Sequence, residues 1–271
     1  MSQRRPPPPS TSRRDLFRAM AALPAASWMV GCRGAADDDS TSAGTDSVPD
    51  TGSLDTGWSE VPRNPRPTEA WGGVAPVDGD RFPLGCQTGD PLPNGFVAWS
   101  YAPGASRVTV HLARWQDGAW VDDGTQEGTP SDAGYVHLEL TDLLPDTTYA
   151  VQAVLDDGAG STVAQATTAP APDAAVEVRF GGTSCLDQGH GEFPSLDELQ
   201  TLGPLDAMLW LGDTVYGDGR RTVESDRELW QELFSKATLQ RLFASTPGVF
   251  TWDDHEVDNN WNPQTLSLIH I

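Results

Sequence analysis

The sequence predicts an antiparallel β-sandwich over residues 82–170, followed by an α/β unit over residues 176–265. Three observations carry this reading. Between Phe82 and Pro170, short runs with a period of two are separated by Asp-Gly and Pro-Gly turn signals. After Asp173, apolar runs alternate with amphipathic stretches opened by capping residues, the pattern of strands alternating with helices. Three of these later runs end abruptly in residue types that bind metal.

Within the first part, Phe96–Trp99 is a compact apolar run. Over Arg107–Trp115 the side chains alternate, with Val108, Val110 and Leu112 on one face and Arg107, Thr109 and His111 on the other. Tyr135–Leu140 and Tyr149–Leu155 repeat that period, and Ser161–Thr168 supplies a further strand. His111 and His137 fall inside strand patterns and read as ordinary surface or edge histidines. Leu143-Leu144-Pro145-Asp146-Thr147-Thr148-Tyr149 resembles the fibronectin type III signature, in which the tyrosine caps a corner between strands. The resemblance implies a fibronectin-III-like sandwich with a structural role.

In the second part, Val176–Phe180 is a predicted strand running into Gly181-Gly182-Thr183-Ser184-Cys185. A helix follows, with Ser195 and Glu198 as a capping box and Gly203 as its stop. Ala207–Leu211 is a buried strand ending in Gly212-Asp213-Thr214-Val215-Tyr216. Ser225 and Glu228 form the capping box of a second helix, which buries Leu229, Trp230, Leu233 and Phe234, and Thr238–Ala244 makes a third. Val249–Trp252 then leads into Asp253-Asp254-His255-Glu256.

Composition bounds the function. The 271 residues carry a formal net charge of −22, which excludes a basic face for nucleic acid. Hydrophobic residues make up 38% and there are ten tryptophans, enough for a proper core in the foldable part. Residues 12–18, Ser-Arg-Arg-Asp-Leu-Phe-Arg, match the twin-arginine export pattern. The apolar stretch Ala19–Gly31 is too short to span a bilayer and suits a signal-peptide core. It ends in Met29-Val30-Gly31-Cys32, which resembles a lipobox, so residues 1–32 are expected to be a twin-arginine lipoprotein signal with Cys32 lipidated. Residues 33–67 are rich in Asp, Ser, Thr, Gly and Pro and read as a disordered acidic tether. The protein is thus expected to use the twin-arginine translocase and to face the periplasm or outer membrane as a lipoprotein. Cys32, Cys86 and Cys185 imply no disulfide framework.

The chemistry sits at the strand ends. In open α/β sheets the ligand crevice lies beyond the carboxyl ends of the strands, so loops after neighbouring strands converge there. Two-metal hydrolysis of a phosphate ester needs a carboxylate bridging ions about 3.5–4 Å apart. Asp213 is the candidate bridge, and Tyr216 returns to the same place as a hard anionic oxygen suited to ferric iron. Cys185 offers a thiolate, Asp254 a carboxylate for the second ion, and His255 a hydrogen bond to developing charge or the leaving oxygen. Asn259 and Asn260 offer carbonyl oxygens of the kind calcium takes.

Gly212-Asp213-Thr214-Val215-Tyr216 and the block Trp252-Asp253-Asp254-His255-Glu256-Val257-Asp258-Asn259-Asn260 resemble motifs of the alkaline phosphatase D (PhoD-like) family of metallophosphoesterases. Phe82–Pro91 is similar to the start of that family's N-terminal domain. The resemblance implies an α/β metallophosphoesterase domain, here a partial four-layer sandwich, binding Fe(3+) and Ca(2+) and hydrolysing phosphate mono- and diesters. It places Cys185, Asp213 and Tyr216 on the iron side, with Asp254 where the family usually has asparagine, and leaves open whether Asp253 shares that duty. Family members continue well beyond Ile271, so their later ligands are expected to be missing and the chain alone inactive. Residues 266–271 read as an artefactual tail, which removes His270 from the ligand set. Two rival readings are a lipid-anchored, non-catalytic binding protein using the sandwich and a calcium-dependent adhesion module.

Overall fold

A computed structural model describes residues 62–220 and 222–260. The expected signal (1–32), most of the acidic tether (33–61) and the tail (266–271) lie outside those residues. Among the described residues, no helix is long and apolar enough to cross a membrane.

Two sheets organise the chain. The smaller is antiparallel throughout, in the order β4 (Ala119–Gly128), β3 (Val108–Gln116), β6 (Thr148–Val154), β7 (Ala164–Thr167). The larger has six strands, in the order β5 (Tyr135–Leu140), β2 (Gly95–Tyr101), β1 (Cys86–Leu92), β10 (Gly248–Thr251), β9 (Ala207–Leu211), β8 (Phe180–Thr183). Its β5-β2-β1 half is antiparallel and its β1-β10-β9-β8 half parallel, so it is a mixed sheet shared by both parts of the chain. Where the halves join, Gly89 stands opposite Gly248.

The β-sandwich core forms where β1, β2 and β5 face the smaller sheet. Cys86, Phe96, Ala98, Val136 and Leu140 bury against Val108, Val110, Tyr149, Val151 and Ala164. Alternation dictates this, since each strand turns every second side chain inward. Leu112 and Ala113 are both buried because the ladder slips there, opposite Gly124 and Asp122. Tyr149 is fully buried and its hydroxyl accepts the Leu144 N–H at 2.9 Å, closing the corner that the Leu-Pro-Asp-Thr-Thr-Tyr run predicts. Cys86 sits in this core, where burial pushes its thiol up to about 12.

The opposite face of the larger sheet carries the helices α1 (Pro194–Thr201), α2 (Val223–Phe234) and α3 (Ala237–Ser245). Helix α3 buries Thr238, Leu239, Leu242 and Phe243, one stripe at helical spacing. Helix α2 spans the joint between the two halves. Its Phe234 meets Trp99 of β2 edge-on at 5.9 Å and Phe243 at 5.0 Å, while Gln231 donates to the Tyr135 hydroxyl at 2.7 Å. Trp210 of β9 lies fully buried, stacked on Phe250 at 5.3 Å. On the sheet face away from the helices, Phe180 and Leu211 remain 42% and 54% exposed.

An ion-pair clasp binds the segment before the first strand to both parts. Arg63 pairs with Asp146 of the sandwich at 2.6 Å and Asp206 of the α/β part at 2.8 Å, and also donates to the Glu177 carbonyl. Arg66 pairs with the same Asp206.

Several predicted boundaries move, each for a local reason. The strand expected at Val176–Phe180 is instead Phe180–Thr183. Arg179 N–H is diverted to the Asp206 carboxylate at 2.7 Å, so the ladder starts only after it, and Gly181 packs against Met208, Leu205 and Leu199 where no Cβ fits. The first helix does not use Ser195 as cap. Pro194 takes the first helical position, where its missing N–H costs nothing, and Phe193 precedes it. The second helix is capped by Thr222, whose side chain accepts Ser225 N–H at 3.1 Å, so Ser225 is the capped residue rather than the cap. β1 and β4 are strands that the periodicity did not single out.

Candidate metal centre

Strands β8, β9 and β10 are adjacent and parallel, so their carboxyl ends open on the same side. Cys185 follows β8, Asp213 follows β9, and Asp254 and His255 follow β10. The three loops are laced by backbone bonds. Cys185 N–H donates to the Gly212 carbonyl at 3.3 Å, Leu186 N–H to the Asp213 carbonyl at 2.8 Å, and Gly217 N–H to the His255 carbonyl at 2.8 Å.

The chain turns sharply to present these side chains. Cys185 and Asp213 hold left-handed φ values of 57° and 50°, which cost an L-residue about 1 kcal/mol or more each. Gly212 precedes Asp213 at φ 94°, and a Cβ there would stand 2.8 Å from Asp253 N and 2.5 Å from Asp253 Cβ. Only glycine fits both the angle and the space.

One ligand atom each from Asp213, Asp254 and His255 lies within 4.8 Å of the others. Cys185 Sγ donates to Asp213 Oδ2 at 3.6 Å, and the Tyr216 ring lies 4.2 Å from the His255 ring, centroid to centroid. The loops therefore bring together Cys185, Asp213, Tyr216, Asp254 and His255. Asp254 joins the cluster, whereas Asp253 turns its Cβ toward Gly212. Asn260 rests its backbone N–H on Asp254 and donates its side-chain amide to Asn259.

The electrostatics push the groups apart. Burial raises the Asp213 carboxyl above the ordinary range, against the lowering effect of His255 N–H, which donates to its Oδ1 at 3.2 Å. The Asn260 N–H, outweighing burial, holds the Asp254 carboxyl below the ordinary range. Burial would lower the His255 imidazole, but its hydrogen bond and attraction to Asp218, helped by Asp213 and Asp254, raise it overall. Burial first, then the charges of Cys185 and Asp213, raise the Tyr216 phenol. Two carboxyls displaced in opposite directions within one crevice make it a candidate for acid–base or metal chemistry.

Two carboxylates were given no role by the sequence reading, although Glu256 lies within the second motif and Asp218 two residues beyond the first. Asp218 Oδ2 contacts His255 Nδ1 at 2.7 Å, and its Oδ1 accepts Asn259 N–H at 2.7 Å. Glu256 accepts backbone N–H groups from Asp213, Thr214 and Asp253. Their spacing, five residues after Asp213 and one after His255, was the available signal.

A desolvated carboxylate, a second carboxylate, an imidazole, a thiol and a phenol are a donor set that fits a transition metal beside a harder cation. A positive ion would offset the cost of burying Asp213.

Comparison with known proteins agrees with this geometry. Residues 180–268 match the PhoD-like phosphatase family, and residues 68–170 match the N-terminal domain of PhoD-like phosphatases. Alkaline phosphatase D of Bacillus subtilis (strain 168) is 30% identical over 212 residues, covering 66% of this chain and 36% of that protein. A solved structure described as PhoD superposes with a TM-score of 0.59 at 29% identity, covering 67% of this chain and 40% of that one. The chain thus spans well under half the length of these relatives. Since the two family matches together span both parts of the chain, and two thirds of it superposes on the solved PhoD structure, the chain belongs to the PhoD-like family.

Proposed function

We propose that this protein is a metal-dependent hydrolase of phosphate mono- and diesters, exported by the twin-arginine route and lipid-anchored through Cys32. The observation carrying the hydrolase reading is the convergence of Asp213, Asp254 and His255 within 4.8 Å at neighbouring strand ends. Cys185, Asp213 and Tyr216 would hold the ferric ion, with Asp254 and Asn260 on the calcium side and Asp213 between. The pair of ions supplies charge neutralisation for the phosphoryl oxygens.

The chain's own residues do the rest. Asp218 ties His255 Nδ1, which fixes the ring and leaves Nε2 to hold or release a proton at the leaving oxygen. The raised His255 imidazole keeps that proton closer to neutral pH. The Tyr216 ring backs the imidazole and restricts its tilt. We read the sandwich as fibronectin-III-like, on its buried tyrosine corner, and the α/β part as half of a four-layer metallophosphoesterase domain.

The test is hydrolysis of p-nitrophenyl phosphate and its bis ester with Fe(3+) and Ca(2+), by this chain alone and by the chain extended to the length of its relatives. The extended protein is expected to turn over. Asp213→Asn is expected to lower its kcat by about 100-fold or more, the scale on which a directed electrostatic group acts. Equal turnover in that variant removes Asp213 from the mechanism.

The anchor has its own test. In cells fed labelled palmitate, the wild-type protein is expected to take up label and fractionate with membranes. Cys32→Ala is expected to abolish the labelling. Labelling that persists in Cys32→Ala ends the lipid reading without touching the hydrolase reading.

A further inference from the structure

We propose that Glu256 is a positioning residue for the metal centre: it holds Asp213 in its left-handed turn by gripping the backbone on both sides of it. The inference rests on the metal-site reading of Asp213. Glu256 Oε2 accepts Asp213 N–H at 3.1 Å and Asp253 N–H at 3.0 Å, and Oε1 accepts Thr214 N–H at 2.5 Å. One carboxylate thus satisfies three donors from two loops, as charge-assisted bonds roughly twice the strength of neutral ones.

Asp213 needs such a hold. Its φ of 50° is unfavourable, and the β9 ladder that fixes the backbone before it ends at Leu211. Its carbonyl is held from the β8 side by Leu186 N–H, and its side chain by His255 N–H. Glu256 completes the enclosure from the β10 side and bonds the peptide groups just before and just after Asp213. It also fixes the distance between loops, because the oxygen that takes Asp213 N–H takes Asp253 N–H as well. Asp254, the next ligand candidate, is the residue after that anchor. Glu256 therefore sets both carboxylates at once through backbone, while its own oxygens stand outside the cluster of Asp213, Asp254 and His255.

The discriminating variant is Glu256→Gln, which keeps shape but turns an NH2 group toward N–H donors. In the metal-free chain, amide exchange followed by NMR is expected to accelerate at least tenfold at Asp213, Thr214 and Asp253, with α2, α3 and the melting temperature unchanged. Titration with Co(2+) alone, read by its thiolate absorption from Cys185, is expected to show affinity lowered about 10- to 100-fold, the usual loss when a ligand's outer partner is removed. Exchange at those three amides that stays at the wild-type rate overturns the proposal. Acceleration spread evenly over the chain also overturns it, by making Glu256 an ordinary stabilising group. Asp213→Asn, run in parallel, separates the two ideas. If it abolishes Co(2+) binding while Glu256→Gln retains full affinity, the metal reading stands and the positioning role falls. If Asp213→Asn binds Co(2+) as tightly as the wild type, the metal reading falls and takes the positioning role with it.

Discussion

Gly212→Ala is expected to lower the stability of the folded chain by about 2–5 kcal/mol and to disrupt the candidate metal centre in the same step. Two costs add. An alanine at φ 94° carries the strain of the left-handed region, about 1–2 kcal/mol. Its methyl would also lie 2.5 Å from Asp253 Cβ and 2.8 Å from Asp253 N, an overlap that adds about 1–3 kcal/mol. The loop after β10 must retreat to relieve the overlap, and that loop carries Asp254 and His255. Urea unfolding of the variant beside wild type measures the first effect, and Co(2+) titration the second. A midpoint within experimental error of wild type would show that the turn is not confined as described.

Asp206→Asn is expected to cost about 2–3 kcal/mol at pH 7, with the loss shrinking in acid. Asp206 is one carboxylate against two guanidinium groups, and it lies mostly out of water with a side-chain exposure of 13%. Removing the shielded carboxylate takes the ion-pair partner from Arg66 and leaves Arg63 with Asp146 alone, which is why the cost exceeds that of a surface ion pair. The pH dependence follows from the direction of its shift. Burial opposes ionisation, but the Arg63 hydrogen bond, the Arg179 N–H and both arginine charges win, so the folded carboxyl lies below its unfolded value. A group depressed in this way stabilises the fold fully above its unfolded value, about 3.9, and the contribution fades as pH falls through the folded value. Wild type and variant should therefore differ most at neutral pH, and the gap should narrow as pH falls below about 4. Urea midpoints measured from pH 7 to pH 2.5 check this, and a gap that stays constant over the range would sink the assignment.

Much of this fold is visible in the residues themselves. Ala207–Leu211 and Tyr135–Leu140 appear as strands at the predicted residues because their apolar pattern and their hydrogen-bonded ladder coincide. At Val176–Phe180 the two separate. The apolar pattern is there, but Asp206 captures the Arg179 N–H and delays the ladder, a contact between residues far apart in sequence. β4 was hidden for a different reason. It lies at an edge with Asp122, Asp123 and Glu127 exposed, so it shows none of the alternation that burial writes into a strand. In the site, Cys185, Asp213, Tyr216, Asp254 and His255 were legible because their chemistry is uncommon at strand ends. Glu256 and Asp218 were not. Their work is to accept hydrogen bonds from backbone and ring nitrogens, which only the folded loops reveal. Asn260 comes from the motif as a whole, and its amide nitrogen donates to Asn259, which leaves its side-chain carbonyl oxygen for the proposed calcium side.

The glycine-to-glycine joint between β1 and β10 carries a practical lesson for anyone dividing this molecule. The two family matches invite a cut near residue 175, with each piece expressed alone. Such a cut would strip the parallel strands of their neighbour and bare the flank of β10, while Phe234 would lose Trp99 as its cover. Freshly exposed flanks of this kind recruit other chains, so the separated halves would clump rather than dissolve. The β-sandwich is better regarded as the near wall of the α/β half than as an accessory that can be lifted away.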